Sequence, residues 1–134
     1  MRQICSVILV AALAACSVGT SVKQFEPAGK PGGADVALDF GRRRLPLQGE
    51  LLAVEDSALV ILYSDSVARV PLSVIRSGQL VPRGSRATFI RGRLSENMRE
   101  RFRLLSRYPD GLSPELLQRL LAAYGQTDVL VITP

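Results

Sequence analysis

The hydrophobic period of this chain changes near residue 94, and no other feature constrains its fold as much. Before that point apolar and polar residues alternate in short runs, the signature of half-buried strands. Val36, Leu38 and Phe40 oppose Asp35 and Asp39. Leu45 to Glu55 resumes the pattern, with Gly49 as the expected bend or bulge. Leu59 to Tyr63 is a compact β-favouring run. Val67 to Leu72 alternates, and Pro71 marks an edge or a strand end. Val74 to Val81 reads as a weaker strand broken at Ser77-Gly78, and Ala87 to Ile90 as a short last one. Turn residues separate the runs at Gly41 to Arg44, Asp56-Ser57 and Ser64 to Ser66. Short strands at such spacing predict a small antiparallel β-barrel or bent sheet.

From Leu94 onward the period is about 100° per residue, which is helical. Leu94, Met98, Phe102 and Leu105 share one arc, with Tyr108 at its edge. Arg99, Arg103, Arg107, Glu96 and Glu100 share the opposite face, where the two acids can pair at i+3 with Arg99 and Arg103. Arg101 falls within the apolar arc and is expected to snorkel at its edge. Ser95 is the expected N-cap, and Pro109 the stop. Ser113-Pro114-Glu115 is a second helix start, and Gly125 suits its end. Leu116, Leu117, Leu120 and Leu121 read as core, with a docking face as the alternative. Val129 to Ile132 reads as a buried terminal strand that returns to the sheet. The fold class is therefore α+β: a barrel or bent sheet, a two-helix hairpin, then a short C-terminal strand.

The N-terminus has a different organisation. Arg2 precedes an apolar run from Ile4 to Leu13, then small residues and Cys16, the three-part layout of an export signal. The run is shorter than the roughly 20 residues needed to span a bilayer as a helix. Leu13-Ala14-Ala15-Cys16 resembles the lipobox of bacterial lipoproteins. The resemblance implies cleavage before Cys16 and attachment of lipid to its thiol. Ser17, where Asp would imply inner-membrane retention, implies the outer membrane, facing the periplasm. The chain's other cysteine, Cys5, lies inside the signal, so Cys16 would have no disulfide partner after cleavage.

These readings divide the chain into a signal peptide (1–15), lipidated Cys16 with a flexible tether (16–33) and one domain (34–134). The domain comprises a β part (34–93), a helical hairpin (94–125) and a terminal strand (128–133). The tether is rich in Ser, Lys, Pro and Gly, a composition that cannot bury enough surface to order itself.

A second resemblance concerns the β part. Val36-x-Leu38-x-x-Gly41, Gly49-x-Leu51-x-x-Val54-x-Asp56 and Ile75-Arg76-Ser77-Gly78 resemble the two-part signature of Sm-like small barrels, over Asp35 to Val81. The gap between Gly41 and Gly49 is longer than that family's, and one extra residue precedes Asp56. Leu59 and Val60 stand where that family places its base-binding asparagine. The resemblance implies an SH3-like barrel without RNA binding.

The sequence contains no histidine, and after cleavage no cysteine other than Cys16. This removes the Ser/His and Cys/His nucleophile pairs and nearly all zinc-type ligand sets. Lys23 and Lys30 fall in the tether, which leaves no Ser/Lys dyad in the domain. The expectation is a non-enzyme with no catalytic residue, cofactor or metal, and no nucleic-acid partner; the alternative is an enzyme using Ser or carboxylate chemistry. Its expected partners are the membrane, through the N-terminal lipid, and an envelope protein. The formal charge of +5 is mild. Two arginine groups are candidates for a basic surface that binds anionic lipid or glycan: Arg42, Arg43 and Arg44 in one turn, and Arg83, Arg86, Arg91 and Arg93 along the strand-to-helix connection.

Overall fold

A computed structural model of the chain describes residues 32–41, 45–81, 85–89 and 92–133. The expected signal peptide, Cys16 and most of the tether lie outside the described residues. Six strands, β1 (Asp35–Asp39), β2 (Leu47–Val54), β3 (Ala58–Tyr63), β4 (Ser66–Pro71), β5 (Ser77–Val81) and β6 (Ser85–Thr88), precede two helices, α1 (Glu96–Leu105) and α2 (Pro114–Ala123). A two-residue strand, β7 (Leu130–Val131), follows. The sheet runs β6-β5-β1-β2-β3-β4-β7 and is antiparallel except for the β4–β7 pair. The α+β class is thus as the sequence predicts, with the open, bent sheet rather than a closed barrel.

Chain length forces the bend. β4 and β5 are separated in the sheet by three strands, which in a flat sheet would be about 19 Å. They are joined by a short link that spends Leu72–Val74 on a 3-10 turn, closed by the Ile75 N–H donating to the Leu72 carbonyl at 3.2 Å. The sheet must curl to bring these ends together. β2 supplies the hinge. Its first half pairs with β1 and its second half with β3, with a bulge between Leu51 and Ala53. The expected bulge at Gly49 is therefore displaced. Val74 lies in the 3-10 turn instead of the strand, and Ser77 and Gly78 lie inside β5.

The bulge also divides the core. Leu51 joins Val36, Leu38, Leu59, Ile61, Val70 and Leu80 on the face covered by α1, whose Phe102 packs edge-on against Phe89. Leu52 and Ala53 join Val60 and Val67 on the other face, beneath Leu120 and Leu121 of α2. The helices follow one another in the chain, yet each seals a different core. The leucines of α2 are core, as expected.

Local chemistry explains the ends of α2. The Ser113 hydroxyl accepts from the Leu116 N–H at 3.2 Å, Pro114 occupies the first turn, and Gly125 takes φ +67. The two residues Ser64 and Asp65, both at positive φ, close the β3–β4 hairpin. The exposed edge of β4 is covered in two ways. The Gln126 amide accepts from the Val67 N–H at 2.7 Å and donates to the Val67 carbonyl at 3.2 Å, and β7 pairs with Ala68 and Arg69. Leu130 and Val131 are exposed, which corrects the expected buried strand. Their apolar character serves an edge, where one side remains in solvent.

Candidate functional site

Two places in the domain have unusual chemistry. The first is where the tether meets the fold. Glu50 lies in β2 and is almost fully buried. Its Oε1 accepts from the backbone N–H groups of Gly32, at 3.0 Å, and Gly33, at 2.9 Å. Its Oε2 faces Arg107 Nη1 at 3.8 Å, and both side chains are about 95% buried. The Arg107 guanidinium also lies 5.6 Å from the centre of the Tyr108 ring.

The backbone completes this clamp. Ala34 donates to the Leu105 carbonyl and accepts from the Leu51 N–H, while Arg107 and Tyr108 donate to the carbonyls of Leu51 and Leu52. The incoming chain is wedged between β2 and the segment that follows α1. Only glycine fits at position 33, because a Cβ would collide with the Leu51 carbonyl oxygen and lie 2.8 Å from the Arg107 nitrogen.

Sequence periodicity placed Arg107 on a solvated helical stripe. The helix instead ends at Leu105, and the Ser106 hydroxyl donates to the Arg103 carbonyl at 2.6 Å. Losing the helical phase turns Arg107 inward. The rest of the stripe is also redistributed. Arg103 pairs with Glu100 at 2.7 Å, as expected, and this hydrogen bond lowers the Glu100 pKa. Arg99 reaches the carbonyls of Glu55 and Asp56, at 2.9 and 3.0 Å, and so ties α1 to the β2–β3 turn. Arg69 grips Glu55 with two nitrogens, at 2.7 and 2.8 Å, and this hydrogen bond raises the Arg69 pKa. Arg101 is exposed.

The second place is an open cleft of about 350 Å³ beside the β1–β2 connection. Phe40, Leu45, Pro46, Leu47, Tyr63, Ile132 and Thr133 line it. Leu47 pairs with Leu38, so Leu45 and Pro46 project just past the Asp39 end of β1. Leu45 is 91% exposed. The lining offers one phenol and one hydroxyl as polar side chains, and the exposed surface of the cleft is of mixed polarity.

Of the expected basic residues, Arg42, Arg43, Arg44, Arg83 and Arg91 lie outside the described residues. Arg86 stands in β6 opposite Gln79, and Arg93 is exposed shortly before α1. The second group is split by the strands that carry it: Val81, before Arg83, pairs with Asp35 at the end of β1 away from Gly41, whereas Phe89, before Arg91 and Arg93, donates to the Arg76 carbonyl at the Asp39 end. Arg76, which the charge groupings passed over, is exposed at the Asp39 end. Its N–H donates to the Asp39 carbonyl at 2.8 Å, and its Cδ lies 2.7 Å from where a Gly41 Cβ would stand. No sequence signal links Arg76 to Gly41, because strand pairing alone brings them together.

No protein-family model, curated protein or solved structure matches the chain. Among the described residues no helix is long and apolar enough to cross a membrane, and no cluster of three or more metal-type ligands occurs. Fold and site together define a small α+β domain with a clamped N-terminal entry and an exposed apolar tip.

Proposed function

We propose that this protein is a lipid-anchored lipoprotein of the cell envelope, with a non-catalytic role in binding, scaffolding or assembly. The observation that carries the reading is Leu13-Ala14-Ala15-Cys16 at the end of an apolar run. Lipid on Cys16 holds the chain on a membrane, the outer membrane facing the periplasm, and residues after Cys16 space the domain from it. Several acyl chains on one cysteine give the stable anchoring that a single chain does not. The clamp around Gly32 and Gly33 supports this arrangement, because it fastens the domain where the spacer ends.

Acyl labelling in an envelope-exporting cell tests the anchor. Wild-type protein should incorporate labelled fatty acid and be shortened. Cys16→Ser should do neither. Unchanged processing and membrane association in that variant would remove the lipoprotein reading.

A further inference from the structure

We infer that the chain entry at Gly32 to Ala34 is a latch on α2. Seated, it holds α2 on the second core. Unseated, it frees α2 while the sheet and α1 stay in place. The latch belongs to the domain itself, so it needs no lipid at Cys16.

The entry and the link between the helices share one slot on β2. The Leu51 carbonyl accepts from the Arg107 N–H, and the Leu51 N–H donates to the Ala34 carbonyl, both at 2.9 Å. The Ala34 N–H reaches the Leu105 carbonyl, at the end of α1, at 2.8 Å. Gly33 lies between the Leu51 carbonyl oxygen and the Arg107 nitrogen, with no room for a Cβ. Glu50 joins the same two segments, with Oε1 on the glycine N–H groups and Oε2 facing the Arg107 guanidinium. Withdrawing the entry takes these partners from the Glu50 carboxylate, the Leu51 N–H and the Leu105 carbonyl. Buried polar groups left in this way are costly, so the link does not stay seated by itself.

Chain connectivity sends the loss to α2. Tyr108 follows Arg107 directly, donates to the Leu52 carbonyl at 2.8 Å and is buried in the second core with Leu120 and Leu121. α1 has fastenings of its own: Phe102 against Phe89, and Arg99 on the carbonyls of Glu55 and Asp56. The clasp of Gln126 on Val67 lies past the C-terminal end of α2 and leaves its N-terminal end to the link. Gly32 and Gly33 have no side chains, so unseating them breaks polar contacts without opening the first core. An opening of this kind is sub-global, cheaper than unfolding the sheet. The surface it uncovers is apolar, Leu120 and Leu121 on the helix and Val60 and Val67 on the sheet. Whatever holds or pulls the chain ahead of Gly32 thereby acts on that surface.

Residue-resolved hydrogen exchange in the full-length chain tests the latch by reciprocity, because a coupling free energy acts equally from either side. The N–H groups of Ala34 and Arg107 report on the entry and link, those of Leu117 and Leu121 on α2, and those of β3 on the sheet. Gly33→Ala should speed exchange at Leu117 and Leu121 about tenfold. Leu120→Ala, in the second core, should speed exchange at Ala34 and Arg107 by about tenfold or more. Val70→Ala, in the first core, should speed exchange in β3 and leave Ala34 and Leu117 at wild-type rates.

Wild-type rates at Leu117 and Leu121 in Gly33→Ala, or at Ala34 in Leu120→Ala, would show independent openings and overturn the latch. Acceleration of every probe by Val70→Ala would show a single global opening and overturn it too. If Gly33→Ala does not fold, Leu120→Ala decides.

Discussion

The tether entry and the Leu45 tip handle polarity in opposite ways. At the entry, a carboxylate and a guanidinium are buried together, and backbone donors satisfy the carboxylate. At the tip, the Leu45 side chain stands in solvent, 91% exposed. The first arrangement is costly to break, because removing one member leaves its partner desolvated. The second costs little to alter within the domain, because few native contacts depend on it.

Five variants test this contrast. Glu50→Ala removes the carboxylate that faces Arg107 and the acceptor for two glycine N–H groups. It should destabilise the domain by about 3–5 kcal/mol in denaturant unfolding and expose Gly32-Gly33 to proteolysis. The double variant Glu50→Leu/Arg107→Met should lose less than Glu50→Ala alone, because no charge is left buried there. Equal losses would show that the pair is not a charge clamp.

Gly33→Ala drives a methyl into backbone atoms of Leu51 and Arg107 that cannot move independently. An overpacking cost of about 1–3 kcal/mol is expected, again by denaturant unfolding. A cost near zero would mean that the entry strand is not wedged as described.

Tyr108→Phe should change stability at neutral pH by less than about 1 kcal/mol. The hydroxyl is buried and has no hydrogen-bond partner among the described residues, so little is lost with it. Burial raises the Tyr108 pKa. The folded state therefore holds its phenolic proton to higher pH than the unfolded chain does. The stability this provides is complete below the unfolded tyrosine value, about 10, and is lost as pH rises through the folded value. Wild-type unfolding curves recorded above that pH should show the loss, and Tyr108→Phe should flatten it.

Leu45→Ser has the smallest expected effect on the fold, within about 0.5 kcal/mol. It should leave the midpoint of denaturant unfolding unshifted. A large midpoint shift would show that Leu45 serves the core instead.

Much of the fold was legible because it rests on local pattern. Alternation located β1 and β4, a compact β-favouring run located β3, and the Ser113-Pro114 start and Gly125 end located α2 closely. The errors cluster where a tertiary neighbour overrode the local signal. The bulge moved from Gly49 to Leu51 because β2 changes partner there. Gly49 is instead small because the Leu62 carbonyl oxygen approaches to 2.5 Å from where its Cβ would be. β7 reads as buried from its residues, yet it lies at an edge.

The candidate sites divide in the same way. Leu13-Ala14-Ala15-Cys16, proposed as a lipobox, is a linear motif, so sequence carries all of that reading. The arginine groups were assembled from neighbours in sequence, whereas Arg76 reaches Gly41 only through the β1–β5 pairing. Glu50 and Arg107 are far apart in the chain, and neither looks unusual among its sequence neighbours.

Sequence alone determined the class of each segment, because helical and strand periods and turn chemistry act over a few residues. It also determined the absence of histidine and the position of Cys16. Tertiary structure decided which charges are buried, which apolar residues face solvent and which core each helix seals. Those outcomes depend on which strand lies beside which. Pairing between distant segments sets that order, and the β2 bulge turns adjacent residues toward opposite cores.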